Sequence, residues 1–242
     1  MSEKIIGLVV SVVKHSDRHN VVSLFTRSHG RMSFLSPVSS KGKGRGRNAR
    51  LALLSIIEGE VRIKQTDSLS LLPSVTSPHV WRTLYFSPVK SSIVIFLAEF
   101  LNKLLRDSAP DAALWDYILN SLSVLDNLQE GTSNFHITFL TGLSHYIGIA
   151  PLVETWKEEY FFDLRAGQFT PFRPLHPDFL NEEESRYLTV LMRINYANMR
   201  FFRFNGEMRT HILNRILHYY SIHLPGTSNL RSPSILSELF NC

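Results

Sequence analysis

The chain is almost without cysteine: among its 242 residues there is one, Cys242, at the last position. An intrachain disulfide is therefore impossible, and so is a metal site built on several thiolates. The absence of disulfides suits a reducing compartment, and a cytoplasmic, nucleoid-associated location is expected. Long apolar runs are missing too. Nothing approaches the roughly 20 residues that a transmembrane helix needs, so no membrane partner is expected. The apolar stretch from Ile5 to Val13 is β-branched and meets Lys14 and His15 directly, without the small-residue cleavage pattern of a signal peptide. It reads as a strand.

Catalytic spacing is also absent. There is no glycine-rich phosphate loop after a strand, no G-x-S-x-G and no cluster of carboxylates of the kind that holds magnesium. His15 and His19 stand four apart, but they flank a turn between strands, where their rings would not converge on a metal. His211 and His218 share one side of a helix with no carboxylate at ligand spacing, and Glu182, Glu183 and Glu184 suit the first turn of a helix. These gaps point to a binding protein rather than an enzyme, with no cofactor and no structural metal.

What the sequence does have is charge in one place. Residues 1–80 hold 12 cations and 5 acids, a net +7, whereas residues 81–242 hold 14 and 16, a net −2. The stretch SSKGKGRGRNARL puts five cations into the ten positions from Lys41 to Arg50, separated by glycines and without an acid. A single basic loop is often only a solvated surface. Here Arg18, Arg27 and Arg31 accompany it, and together with Lys41, Lys43, Arg45, Arg47 and Arg50 they form a candidate set for phosphate contacts. No base-reading side chains stand beside them, which implies affinity without sequence preference.

The first eighty residues read as short β-rich runs divided by turn signals: IIGLVVSVV, SDRHN, VVSLFT, SHGR, MSFLS and LALLSIIEGEVRIKQ. Gly30 suits a tight turn, and Glu58-Gly59-Glu60 a bend or bulge. About five strands in this length predict a small closed barrel; an OB-fold and an SH3-like barrel both satisfy the periodicity, and the OB-fold also grips nucleic acid along one face. From Ser87-Pro88 the period becomes helical, with stripes through Ile93 to Leu105 and Leu114 to Leu125, and a third helix over 133–147. An aromatic and proline-rich insertion of about 152–180 follows, in which YFFDL and QFTPF pair around Ala166-Gly167. Asn181 and Glu184 then open a helix as a capping box, and another helix spans 206–223. The expected class is α+β, an OB-fold β-barrel of residues 1–80 followed by an all-α domain of residues 81–242.

The run SDRHNVVSLFTRSHGRMSFLSPVSSKGKGRGRNARL resembles the N-terminal signature of the RecO family of recombination mediators. The resemblance continues through KSSIVIFLAEFLNKLLRD, EGTSNFHITFLTGLSHYIGIAP, YFFDLRAGQFTPFRPLHPDFL, MRTHILNRILHYYSIHLPG and LRSPSILSELF. It implies an N-terminal OB-fold and a helical C-terminal domain that bind single- and double-stranded DNA and anneal complementary strands without ATP. It also implies partners: RecR, the acidic, hydrophobic-ended tail of single-strand binding protein (SSB), and indirectly RecA. Many members carry four zinc-binding cysteines near YFFDL to HPDFL; this chain has none, so packing of Tyr160, Phe161, Phe162, Phe169 and Phe172 is expected to hold that segment. An acidic tail ending in an aromatic needs an apolar pocket rimmed by cations. Arg203 and Arg209, close to Phe201, Phe202, Phe204 and Ile212, are the candidates. The competing reading is an RNA-binding OB-fold protein associated with translation, which the barrel and loop alone would suit equally; a DNA-processing hydrolase is weaker still.

Overall fold

Strand β1, Ser2–Lys14, pairs antiparallel with β2, His19–Thr26, on one side and with β4, Ile56–Arg62, on the other. Strand β3, Gly30–Pro37, follows β2 through a tight turn, and β5, Ser70–Leu71, lies parallel to β3. The order is β4-β1-β2-β3-β5. Beyond β5, Thr76 exchanges two backbone hydrogen bonds of 2.9 Å with Glu58 of β4, so the last segment touches both edges and the sheet curls into an OB-like half-barrel. The computed structural model describes residues 2–38, 50–62, 69–72 and 75–241, in two compact units, Met1–Asn127 and Leu128–Cys242.

The run LVVSVV in β1 does not alternate between apolar and polar residues because both faces of this part of the sheet are covered. Ile5, Val9, Val22, Leu24, Phe34, Ile57, Val61 and Leu72 fill the inside of the curl. Leu8 and Phe25, on the opposite alternation and opposite each other in the register, are equally buried, and the Phe25 ring lies 5.8 Å from Trp115. The expected irregularity at Glu58-Gly59-Glu60 is not there: Gly59 pairs regularly with Ile5, and the bulge falls in β1 between Val9 and Ser11. Val9 is where the chain 54–55 also bonds to β1, with Leu54 donating to the Val9 carbonyl at 2.7 Å, so the sheet is most crowded and bent there.

Helix α1, Pro88–Leu104, starts at the expected Ser87-Pro88 and buries Ile93, Phe96, Leu97, Phe100 and Leu101. Helix α2, Ala112–Asn127, begins where the Asp111 carboxylate accepts from Leu114 N at 2.9 Å. Its far end carries a buried clamp. The Asp126 carboxylate accepts from the backbone N–H of Arg82 (2.9 Å), Thr83 (2.7 Å) and Leu84 (3.2 Å), while Lys90, 6% exposed, donates to the Asp126 carbonyl at 2.9 Å and to Thr83 Oγ1 at 2.8 Å.

The second unit is helical around a small sheet: α3 (Phe135–Tyr146), β6 (Phe161–Asp163), β7 (Gln168–Thr170), β8 (Phe179–Leu180), α4 (Glu182–Leu191), α5 (Gly206–His223) and α6 (Ser232–Asn241). The β6–β7 hairpin turns at Gly167, whose φ of +67° only glycine adopts without strain, and β8 adds a third strand. Phe162 and Phe169 are buried with Leu164, Leu180 and Tyr219, and Tyr160 packs against them. Phe172 does not belong to this packing: it is exposed beyond the end of β7, in a turn that its own N–H and carbonyl make with Thr170. Polar contacts hold the outer part of the insertion instead, with Asp178 receiving Arg165 at 2.7 Å and His218 at 2.9 Å.

His136 in α3 is wholly buried, stacked 5.6 Å from Phe240 of α6, and Arg209 lies over the same Phe240 ring at 5.2 Å. Burial, with the Arg209 charge as a second cause, pulls its pKa down to about 3. The unfolded chain takes up this proton near pH 6.5, so His136 favours the folded state above that pH and loses stability progressively as pH falls toward 3. Between pH 7 and 5 the loss amounts to about 2 kcal/mol. Urea titrations of the parent and His136→Leu at the two pH values check this: the parent should weaken by about that much more than the variant, and parallel losses would remove His136 as the cause.

Candidate nucleic-acid interface

Arg18 stands at one end of β2, and Arg27 and Arg31 at the other. Eight residues at about 3.4 Å each separate the ends by roughly 25 Å. At one end, the Arg18 carbonyl accepts from Val38 N at 2.8 Å, where the chain leaves β3 for the basic loop, and the Arg18 side chain is exposed. The chain returns at Arg50, whose carbonyl accepts from Ser55 Oγ at 2.7 Å and whose Nη1 donates to the Val75 carbonyl at 3.0 Å. Arg50 thus anchors the loop's return while remaining exposed. Lys41, Lys43, Arg45 and Arg47 lie outside the described residues.

At the other end, Arg27 and Arg31 flank the β2–β3 turn. Gly30 has a φ of +66°, and a Cβ there would meet the Ser108 carbonyl oxygen at 2.2 Å, so only glycine lets this turn press on the end of α1. Arg31 N donates to the Ser108 carbonyl at 3.2 Å. Its guanidinium donates to Asn102 Oδ1 (2.8 Å), Ser23 Oγ (3.1 Å) and the Arg106 carbonyl (3.3 Å), and burial holds its pKa below the usual arginine value. Arg27 pairs with Asp116 at 3.0 Å, but both side chains are more than half exposed, and such a pair is held only weakly. The structure therefore leaves Arg18 exposed where the chain departs for the loop and Arg50 exposed where it returns, and ties Arg31 into the helices.

In the second unit Arg203 is exposed between Phe202 and Phe204, both of which line an apolar cavity of about 550 Å³. Leu188, Leu191, Ile212 and Ile216 form its walls. At its mouth Glu184 makes the expected capping box with Asn181 and receives Arg215 at 2.9 Å and His211 at 2.8 Å. Burial raises the Glu184 pKa, but these hydrogen bonds outweigh it and leave it below the ordinary value. Arg209 is placed differently: 9% exposed, it donates to the Phe204 carbonyl at 2.7 Å and to Asn134 Oδ1 at 3.2 Å. Asn134 in turn donates to the carbonyls of Met199 (3.0 Å) and Phe202 (2.7 Å), so Arg209 and Asn134 together shape the segment that presents Arg203. No spacing signal links positions 134 and 209.

Among the described residues no three His, Cys, Asp or Glu side chains gather in a metal-binding arrangement, and no helix is long and apolar enough to cross a membrane. Residues 1–78 match the family model "Recombination protein O N terminal", and residues 86–232 match "Recombination protein O C terminal". The chain is 36% identical over 241 residues to the DNA repair protein RecO of Phocaeicola vulgatus and 34% identical over 242 residues to that of Bacteroides fragilis, with both chains covered in full in each case. The RecO of Flavobacterium psychrophilum is 27% identical over 242 residues, again over the whole of both chains.

Proposed function

Because the chain belongs to the RecO family of DNA repair proteins, we propose that it is a non-catalytic recombination mediator. It binds single- and double-stranded DNA, anneals complementary strands and, with RecR, helps RecA load onto DNA coated by SSB in the cytoplasm. The observation that carries this reading is the basic loop, held to an OB-like half-barrel where it departs, by Val38 donating to the Arg18 carbonyl, and where it returns, by Arg50 donating to the Val75 carbonyl. Two complementary strands repel one another. A cationic surface that holds both by their phosphates and leaves the bases free raises their local concentration and lowers the barrier to pairing.

The loop with Arg18 and Arg50 supplies this surface, and Arg27 contributes where a phosphate displaces Asp116. Arg31 supports the half-barrel. In the second unit, the apolar cavity receives the aromatic end of the SSB tail while exposed Arg203 meets its carboxylates; Arg209 acts by positioning.

An annealing assay with complementary oligonucleotides, with and without cognate SSB, tests the reading. The protein should accelerate annealing of bare strands, keep doing so on coated strands, and need no nucleotide. Arg203→Ala should weaken binding of a labelled tail peptide at least threefold and slow annealing of coated strands only. Failure to accelerate bare strands would remove the mediator role, and unchanged peptide affinity would move the tail site elsewhere.

A further inference from the structure

Phe86 is 80% exposed, on a segment that has little freedom to hide it. The turn before α1 is bonded at almost every amide: the N–H groups of Arg82, Thr83 and Leu84 go to the buried Asp126 carboxylate, and those of Phe86 and Ser87 go to the Thr83 carbonyl at 3.1 and 3.2 Å. Ser91 Oγ donates to the Leu84 carbonyl at 3.0 Å, closing the turn from the helix side. A loose loop would fold an exposed phenylalanine back onto the nearest apolar surface. This one is held out in water, where it gains nothing in stability.

The same turn is fastened to the return of the basic loop. Tyr85 donates its hydroxyl to the Leu53 carbonyl at 3.0 Å, and Trp81 Nε1 donates to the Leu54 carbonyl at 2.9 Å. Leu53 is three residues beyond Arg50, so at most about 11 Å of chain separates the cationic foot from the carbonyl that Tyr85 grips. Arg82, also exposed, belongs to the same turn. An aromatic face held close to Arg82 and to the return of the chain at Arg50 is the pairing of groups that single-stranded nucleic acid requires: cations follow the phosphates, and a ring stacks on an unpaired base.

We propose that Phe86, with Tyr85 as its tethered neighbour, is a base-stacking contact that gives the protein its grip on single strands. The inference rests on the DNA-binding reading above and adds to it a contact outside the half-barrel. Duplex DNA keeps its bases stacked on one another and has nothing to offer this ring, so the contact distinguishes single from double strands. During annealing the ring holds one strand in an unstacked, pairing-ready form and yields the base when the complement arrives.

Fluorescence anisotropy with labelled oligothymidylate and with a matched duplex, over a range of salt, tests the proposal. Phe86→Ala should lose about fivefold to a hundredfold in affinity for the single strand, the effect of removing one stacked base. Duplex affinity and the log-log salt slope should not change, because phenylalanine neutralises no phosphate. Phe86→Trp should restore the loss, and irradiation of a 5-iodouracil oligonucleotide should crosslink to position 86 in the parent. Single-strand affinity within twofold of the parent, or an equal loss on duplex, overturns the contact while leaving the DNA-binding reading standing. A parent protein that binds neither form overturns both.

Discussion

Asp126→Ala is expected to destabilise the first unit by about 3–5 kcal/mol, the loss typical when one member of a buried charged network is removed. Asp126 is 5% exposed, and its carboxylate receives three backbone N–H groups and the Thr83 hydroxyl. The truncation leaves the three backbone N–H groups without acceptors and buried Lys90 without a nearby opposite charge, while the Thr83 hydroxyl keeps the Asp126 carbonyl. A unit with a total stability of about 5–15 kcal/mol would be left marginal. Asp126→Asn keeps the shape and one acceptor oxygen but not the charge, and should fall between parent and alanine variant. Urea denaturation followed by tryptophan fluorescence measures all three, Trp81 and Trp115 being buried in this unit. A loss under 1 kcal/mol for the alanine variant would show that the turn is held by its other contacts. Burial alone would raise the Asp126 pKa, but the backbone N–H groups of 82–84 and the Thr83 hydroxyl pull it below the ordinary value. The stabilisation is therefore present above the ordinary carboxylate range and is lost as pH falls through it and below. The turn carrying Phe86 should loosen over the same window.

The largest functional effect is expected from the basic loop. Replacing Lys41, Lys43, Arg45 and Arg47 together by alanine should leave folding intact and reduce DNA affinity steeply at low salt. Arg50 is kept because its Nη1 holds the Val75 carbonyl. If all four cations contact phosphates, the log-log salt slope on single-stranded DNA should shrink by about 3 and on duplex by about 4, at roughly 0.7 and 0.9 per contact. No one substitution among the four should matter much, since neighbouring cations replace one another along a backbone. An unchanged slope would make the loop a solvated surface and move the DNA path elsewhere on the half-barrel. This result and the Phe86 result separate cleanly, one changing the slope and the other only the intercept.

Strands β1 to β4, the change to helical period at Ser87-Pro88, the capping box at Asn181 and Glu184 and the hairpin around Ala166-Gly167 were legible because each depends on residues within one turn or one period, whereas the two-residue strands β5 and β8 carry no such signal. The charge asymmetry and the basic loop were legible for the same reason, and the family was visible in the order of its motifs. The bulge lies at Val9 and not at Gly59 because a glycine in a strand is compatible with a bulge but does not require one, and residues 54 and 55 crowd Val9. Phe172 is exposed although it belongs to the aromatic cluster, because such a cluster in sequence does not say which of its members face inward. Side-chain environment is a tertiary property. Arg31 and Arg209 look on paper like Arg18 and Arg203, and only packing shows that the first two are committed to Asn102 and Asn134, distant in sequence. The Asp126 clamp and the Tyr85 tether join residues 32 to 44 positions apart, with no local pattern to announce them. Sequence by itself determined which elements form and where the positive charge lies. Tertiary structure alone decided which charges and which aromatics are left facing water, because burial is settled by what arrives from elsewhere in the chain.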